Sequence, residues 1–272
     1  MRVGLVQMTS GEDTDANLAN TLAGLREAAA GGATFVLTPE VTNILSASRK
    51  IQEAAISHEE DCGFLTTIQD EAKALGIWVL LGSLAVKTHD PDGRFANRSF
   101  LISPAGDITA RYDKIHMFDV EIDAQESYRE SAHYRPGTRA VVARTDFAQI
   151  GMTICYDVRF PHLHRALAQA GAKIITVPAA FSPVTGHAHW ESLLRARAIE
   201  TGCFVLAPAQ TGQNAPGRST HGHSLVISPW GEILADAGKK PGVTLVDLDL
   251  DAVKQARGRV PSLIHDRDFE GP

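Results

Sequence analysis

Short apolar runs alternate with longer amphipathic segments along the whole chain. "RVGLVQM" at the start has the β-branched, apolar character of a strand. "DTDANLANTLAGLREAAAGG" follows as a helix, with Asp13 or Thr14 placed to cap its start and glycines to end it. "ATFVLTPE" predicts a strand, residues 48–75 are mostly helical in pattern, and "GIWVLLGSLAV" is a third strand. "RSFLISPAGDITARYDK" predicts two strands around a Pro-Ala-Gly turn. The second half repeats the style. A strand runs to Cys155, and a helix over 160–170 has a proline near its start and Gly171 just past its end. Then come strand "KIITVPAA", a helix over 187–201, strand "CFVLAPA", and the pair "HSLVISPWGEILADAG" and "GVTLVDLDL".

Strands alternating with helices define an α/β fold. An internal match sharpens this. "SFLISPAGDITA" (99–110) and "SLVISPWGEILA" (224–235) share Ser, Ile, Ser, Pro, Gly, Ile and Ala at equivalent positions, 125 residues apart. Ser-Pro-x-Gly is also ordinary turn chemistry, so the match is either a true repeat or two similar turns. A repeat implies two similar halves, each with helices on one face of a sheet. Packed sheet against sheet, they form an α-β-β-α sandwich. No low-complexity linker separates the halves, which predicts one domain over residues 1–272.

Composition narrows the function classes. A net charge of −6 provides no basic patch for nucleic acid or an anionic membrane. No apolar run approaches the ~18 residues that span a bilayer, and no cleavage pattern follows the opening strand. A cytoplasmic protein is expected. Its three cysteines, Cys62, Cys155 and Cys203, form no CxxC pair and fit a reducing compartment better than a disulfide framework. Cys203 sits within an apolar strand, and Cys62 has acidic neighbours. Cys155 stands at a strand end on the turn into a helix, where a thiol is presented clear of the sheet beside free backbone N–H groups.

Charge is out of place at two other strand ends. Glu40 closes "ATFVLTPE", and Lys114 follows the strand ending in "ARYD". A carboxylate, an ammonium and a thiol on one edge could surround a substrate. Histidine is the usual partner of a catalytic cysteine, and eleven are present, including His162-x-His164, His187-x-His189 and His221-x-His223. No third ligand follows any doublet at zinc-site spacing, so neither a metal nor a Cys-His pair is expected.

Taken together, "LTPE", "YDKIH" and "GMTICYDVRFP" resemble the nitrilase or carbon–nitrogen hydrolase superfamily from the opening strand to the second Ser-Pro hairpin. That resemblance implies the α-β-β-α fold and a Glu-Lys-Cys triad of Glu40, Lys114 and Cys155, with no metal or cofactor. It also implies a second glutamate before a Pro-Gly turn: Glu130 in "ESYRESAHYRPG" fits better than Glu126. Such members cleave C–N bonds of small amides through a thioester and commonly form homodimers or higher homo-oligomers. The second half looks like the Nit subgroup of amidases, closest to deaminated glutathione amidases, with ω-amidases on 2-oxo acid amides as near relatives. An N-carbamoyl amide hydrolase, a nitrilase and an inactive binding protein are the competing readings. For a carboxylate-bearing substrate, Arg159 is the natural partner, unless it pairs with Asp157 or a helix end. Tyr156, Phe181, Thr185 and His116 are the further candidate pocket residues. Trp190, Leu193, Leu194 and Ile199 belong either to the core or to a dimer face.

Overall fold

The computed structural model describes residues 1–122 and 127–271. Its elements in the first half are β1 (Arg2–Gln7), α1 (Thr14–Ala30), β2 (Phe35–Leu37), α2 (Arg49–Ala55), α3 (Gly63–Leu75), β3 (Trp78–Val86), β4 (Ala96–Ile102), β5 (Ile108–Asp113), β6 (Asp119–Glu121) and β7 (Ser127–Arg129). The second half contributes β8 (Val141–Arg144), β9 (Gln149–Met152), α4 (Pro161–Gln169), β10 (Ile174–Thr176), α5 (Pro183–Thr201), β11 (Phe204–Ala207), β12 (Thr211–Ala215), β13 (Arg218–His221), β14 (Leu225–Ile227), β15 (Ile233–Asp236), β16 (Gly242–Asp247) and α6 (Asp251–Arg259).

Two six-stranded sheets share one plan. The first runs β16-β1-β2-β3-β4-β5 and the second β8-β9-β10-β11-β14-β15. In each, three parallel strands are flanked by antiparallel neighbours. The two matching hairpins occupy the same edge of their sheets, and their turns agree atom for atom. The Oγ of Ser103 accepts from Ala105 and Asp107 N–H, as Ser228 Oγ does from Trp230 and Glu232 N–H. Gly106 and Gly231 take the left-handed conformation at φ 86 and 88°. The repeat is therefore structural as well as textual.

The sheets pack face to face because their strands are apolar on both sides. Val3, Leu5, Phe35, Leu37 and Leu80 point inward to meet Ile150, Met152, Ile174 and Leu206. Alternate residues Val6, Val36, Val79 and Leu81 face outward onto Leu25 and Ala28 of α1 and Leu65 and Ile68 of α3. On the far side, α5 buries Trp190, Leu194 and Ala198, and α4 buries Leu163 and Leu167. This is the expected four-layer α-β-β-α sandwich. Asp13 caps α1 by accepting from Asp15 and Ala16 N–H, and Pro161 opens α4.

Two segments differ from the sequence pattern. The helical stretch over 48–75 is interrupted where His58 pairs with Lys87 in an isolated bridge, pulling the chain onto the end of β3. The "QNAPGRST" segment, polar and containing Pro-Gly as a loop would, is largely hairpin β12–β13 with Pro216-Gly217 at its tip.

One glycine sets the approach to the site. A Cβ on Gly82 would lie 1.9 Å from Thr38 O, 2.5 Å from Pro39 O and 2.7 Å from Pro178 Cβ. The backbones leading to Glu40 and to Ala180 close over it only because it has no side chain. Gly82→Ala is expected to destabilise the fold by about 3 kcal/mol through overpacking, seen as a lower urea midpoint at unchanged slope.

Candidate active site

The parallel strands of both sheets end on one edge, where open α/β sheets present their sites. Beyond β2 the chain turns at Pro39 into Glu40. Val41 takes φ 47°, held by its N–H to Ser83 Oγ at 2.8 Å. Beyond β9, Thr153 and Ile154 lead to Cys155 at φ 48°, which opens a short 3₁₀ turn over Cys155–Arg159. Two of the three non-glycine residues with positive φ among those described thus flank this edge, a cost of order 1–3 kcal/mol each that a packed surrounding must hold. Asp157 supplies much of that hold. Fully buried, its carboxylate accepts from Ile154 N–H (2.9 Å), Tyr112 O–H (2.6 Å) and His116 N–H (3.0 Å).

Glu40, Lys114 and Cys155 meet here, with 4, 2 and 8% of their surfaces exposed. Lys114 Nζ donates to Glu40 Oε1 and to both oxygens of Glu130, each at 2.9 Å. All three ammonium donors are thereby used. Glu40 Oε2 accepts from Ala180 N–H at 2.8 Å, and the carboxylate acts electrostatically on the nearby Cys155 thiol. Glu130 is held in turn by Phe118 N–H at 2.6 Å. Glu126, the other candidate for the second glutamate, lies outside the described residues.

Sequence reasoning missed Asn97 of β4. Its Nδ2 donates to Glu40 Oε1 at 2.8 Å and approaches Glu130 Oε1 at 3.5 Å, so it bridges the two carboxylates. It also missed Gln210, whose Nε2 donates to Glu40 O at 3.0 Å and to Ser10 Oγ at 2.7 Å. Both are buried amides among apolar neighbours, a signal that a polar partner must be close.

The electrostatics follow from burial. Burial alone pushes the Glu40 carboxyl up, but the Lys114 charge and the hydrogen bonds from Lys114, Cys155 and Asn97 outweigh it and hold it below 4.5. For Lys114 the ordering repeats: burial pushes the ammonium down, and Glu130 with Glu40 reverses this, holding it well above 10.5. Burial and the Glu40 charge raise the Cys155 thiol well above 9.0. At rest the site is thiol, carboxylate and ammonium, with the base poised beside the proton it would remove.

These groups form the floor of a cavity of about 490 Å³, whose walls include Tyr156, Phe181 and Thr185. His116 and Arg159 do not line it. His116 stacks on Phe160 with ring centres 3.5 Å apart and bonds Asp157 through Nδ1 at 2.7 Å. The buried Asp157 carboxylate holds the ring against the 3₁₀ turn. Arg159 stacks behind the cavity wall, 5.7 and 5.6 Å from the Tyr156 and Phe181 ring centres, with Nη2 against His189 Nδ1 at 3.2 Å. Neither is paired as anticipated for Arg159: Asp157 is taken by Tyr112 and His116. The histidine doublets lie elsewhere. Among the described residues the one grouping of three metal-competent side chains is His58, Glu60 and His89, none of which lines the cavity.

The chain matches the family described as carbon-nitrogen hydrolase over residues 2–258. It is 40% identical over 266 residues to the deaminated glutathione amidase of Yersinia enterocolitica, covering 97% of this chain and 92% of that protein. The mouse protein of the same name is 38% identical over 97% of this chain and 83% of its own length. Among solved structures, the Caenorhabditis elegans NitFhit protein superposes with a TM-score of 0.91 at 33% identity, over 98% of this chain and 65% of that one. An amidase from Nesterenkonia sp. AN1, captured with acrylamide added to its active-site cysteine, superposes at 0.79 with 26% identity over 96 and 98% of the two chains. With its fold, its strand-end cluster and a match along almost its whole length, the chain belongs to the carbon–nitrogen hydrolase family.

Proposed function

We propose that this hydrolase is an amidase that cleaves deaminated glutathione at its 2-oxo-glutaryl amide, using Cys155 as nucleophile. The observation that carries the mechanism is a buried carboxylate hydrogen-bonded to a buried ammonium, with a buried thiol on the same cavity floor. The substrate rests on the curated relatives that bear this name. Glu40 takes the thiol proton as Sγ bonds to the amide carbon. The oxyanion is stabilised by the positive charge of Lys114 and by the N–H of Tyr156, next to Cys155 in the first turn of the 3₁₀ segment, where backbone donors lack a partner from the turn itself. Glu40 then returns the proton to the amide nitrogen as the C–N bond breaks and cysteinylglycine leaves. The same carboxylate deprotonates a water that attacks the thioester, releasing 2-oxoglutarate and restoring the thiol. Glu130 keeps Lys114 charged and aimed. Tyr156, Phe181 and Thr185 hold the acyl portion, and Arg159 places a positive charge behind that wall.

The reading extends to one catalytic domain over residues 1–272 in a cytoplasmic homodimer. Supporting the dimer, Ile199 on α5 is 55% exposed beside Trp230, Ile233 and Leu234 of the second Ser-Pro hairpin, each at least 40% exposed. Trp190 and Leu194 are core. Among the described residues no helix is long and apolar enough to cross a membrane.

Product analysis tests the substrate. The protein is incubated with deaminated glutathione, 2-oxoglutaramate, an N-carbamoyl amino acid and a simple nitrile. Appearance of 2-oxoglutarate with cysteinylglycine from the first is the expected result. Turnover of only another compound moves the substrate and keeps the mechanism. No turnover of any, with Cys155 no more reactive to thiol labels than Cys203, leaves a binding protein.

A further inference from the structure

Lys114 and its two carboxylates leave the cavity floor with a net charge of −1. An anionic substrate is repelled by such a floor unless the walls supply a counter-charge. The cations that line the cavity are Lys114, Arg129 and Arg218. Lys114 is saturated by Glu40 and Glu130, and Arg129 pairs with Glu121 at 3.0 Å. Arg218 forms no ion pair among the described residues. Its guanidinium lies over the Tyr128 ring, 4.8 Å from the centroid. Stacking of this kind fixes the plane and leaves the edge N–H donors open to a carboxylate, which a guanidinium can grip at both oxygens.

Placement adds to the case. Arg218 stands at the tip of hairpin β12–β13, half-buried, while the reacting groups come from strand ends across the cavity. The hairpin is anchored at its base by Thr9 Oγ1 to Thr211 O (2.8 Å) and by Asn214 Nδ2 to Ser10 O (3.0 Å). Its tip is therefore held over the cavity by the same segment that supports Glu40 through Ser10 and Gln210.

We infer that Arg218 is a specificity-determining residue that binds the carboxylate of the substrate's leaving portion. The inference rests on the proposed function: for deaminated glutathione that group is the glycine carboxylate. Of the three arginines at or behind the walls, Arg129 is paired with Glu121, Arg159 stands behind the aromatic layer, and Arg218 is the lining one with no ion pair among the described residues.

The test compares deaminated glutathione with the analogue whose glycine ends in a carboxamide, using wild type, Arg218→Ala and Arg218→Lys. Wild type is expected to favour the carboxylate about 10–100-fold in kcat/KM, the range of a charge-assisted pair. In Arg218→Ala this preference collapses towards one through a raised KM, with kcat for the carboxylate substrate nearly retained, and Arg218→Lys recovers part of it. A merely structural role would lower kcat for both substrates alike and leave their ratio unchanged. An unchanged ratio in Arg218→Ala overturns the inference while leaving the amidase reading intact. No turnover of either compound by wild type removes the amidase reading, and this inference with it.

Discussion

Cys155→Ala is expected to abolish amide hydrolysis, lowering kcat by about 10⁴–10⁶-fold, the scale on which single-nucleophile deletions act in covalent hydrolases. Stability changes by about 1 kcal/mol, since the lost group is comparable to one buried methylene. The residue is small, and its φ of 48° is no easier for alanine than for cysteine. The two readouts together separate a nucleophile from a core thiol. Cys203 provides the contrast: it is fully buried in β11's approach, its thiol raised by burial and bonded to Ala172 O. Cys203→Ala retains turnover and loses packing. Cys155→Ser is informative as well. It keeps a hydroxyl where the thiol stood, but an alcohol yields its proton to Glu40 far less readily than a thiol, and an amide is a far less reactive acceptor than the thioester that water attacks. That variant is also inactive. Measurable turnover by Cys155→Ala at more than a percent of wild type would move the nucleophile elsewhere.

The parts of this site that local patterns reveal are those whose backbone makes them conspicuous. Cys155 ends an apolar run and precedes a proline-opened helix, and Glu40 and Lys114 are charges at the ends of strands. The paired Ser-Pro hairpins carried the two-halves architecture because their turns demand the same serine and glycine. The partners that join the halves are a different matter. Asn97 reaches Glu40 across 57 positions and Ala180 across 140, and no local periodicity encodes such separations. His116 illustrates the same limit in reverse. It sits two residues past Lys114, close enough to share its cavity, but Asp157, 41 residues on, takes its ring. Arg218 lies in a segment with the polar, Gly-Pro composition of a loop. Only pairing of β12 with β13 carries it to the cavity wall.

Lys114→Met produces the largest combined loss of stability and activity, because it removes the one charge that reconciles Glu40 with Glu130. With Nζ gone, two carboxylates share a site that only Asn97 still bridges. Breaking a buried pair by deleting one partner costs about 3–5 kcal/mol, and losing an oxyanion donor lowers kcat by about 10²–10³-fold. The pH dependence gives the sign. In wild type the folded Glu40 value is lowered, so its contribution is present above 4.5 and disappears as pH falls through the folded value. Lys114 is raised, so its contribution is present below 10.5 and disappears as pH rises through the folded value. Between those limits the pair leaves stability flat. In Lys114→Met, burial and mutual repulsion push the carboxylates up instead, so the folded state takes up a proton before the unfolded chain does. The variant then becomes more stable as pH falls from 7 towards 5, a slope wild type lacks. Urea midpoints at the two pH values measure it. Adding Glu130→Gln removes one of the opposed charges and is expected to restore part of the lost stability at pH 7, while activity stays as low as in Lys114→Met because no ammonium charge faces the oxyanion. A Lys114→Met variant as stable as wild type, with no such slope, would show that the two glutamates do not depend on this lysine for their charge.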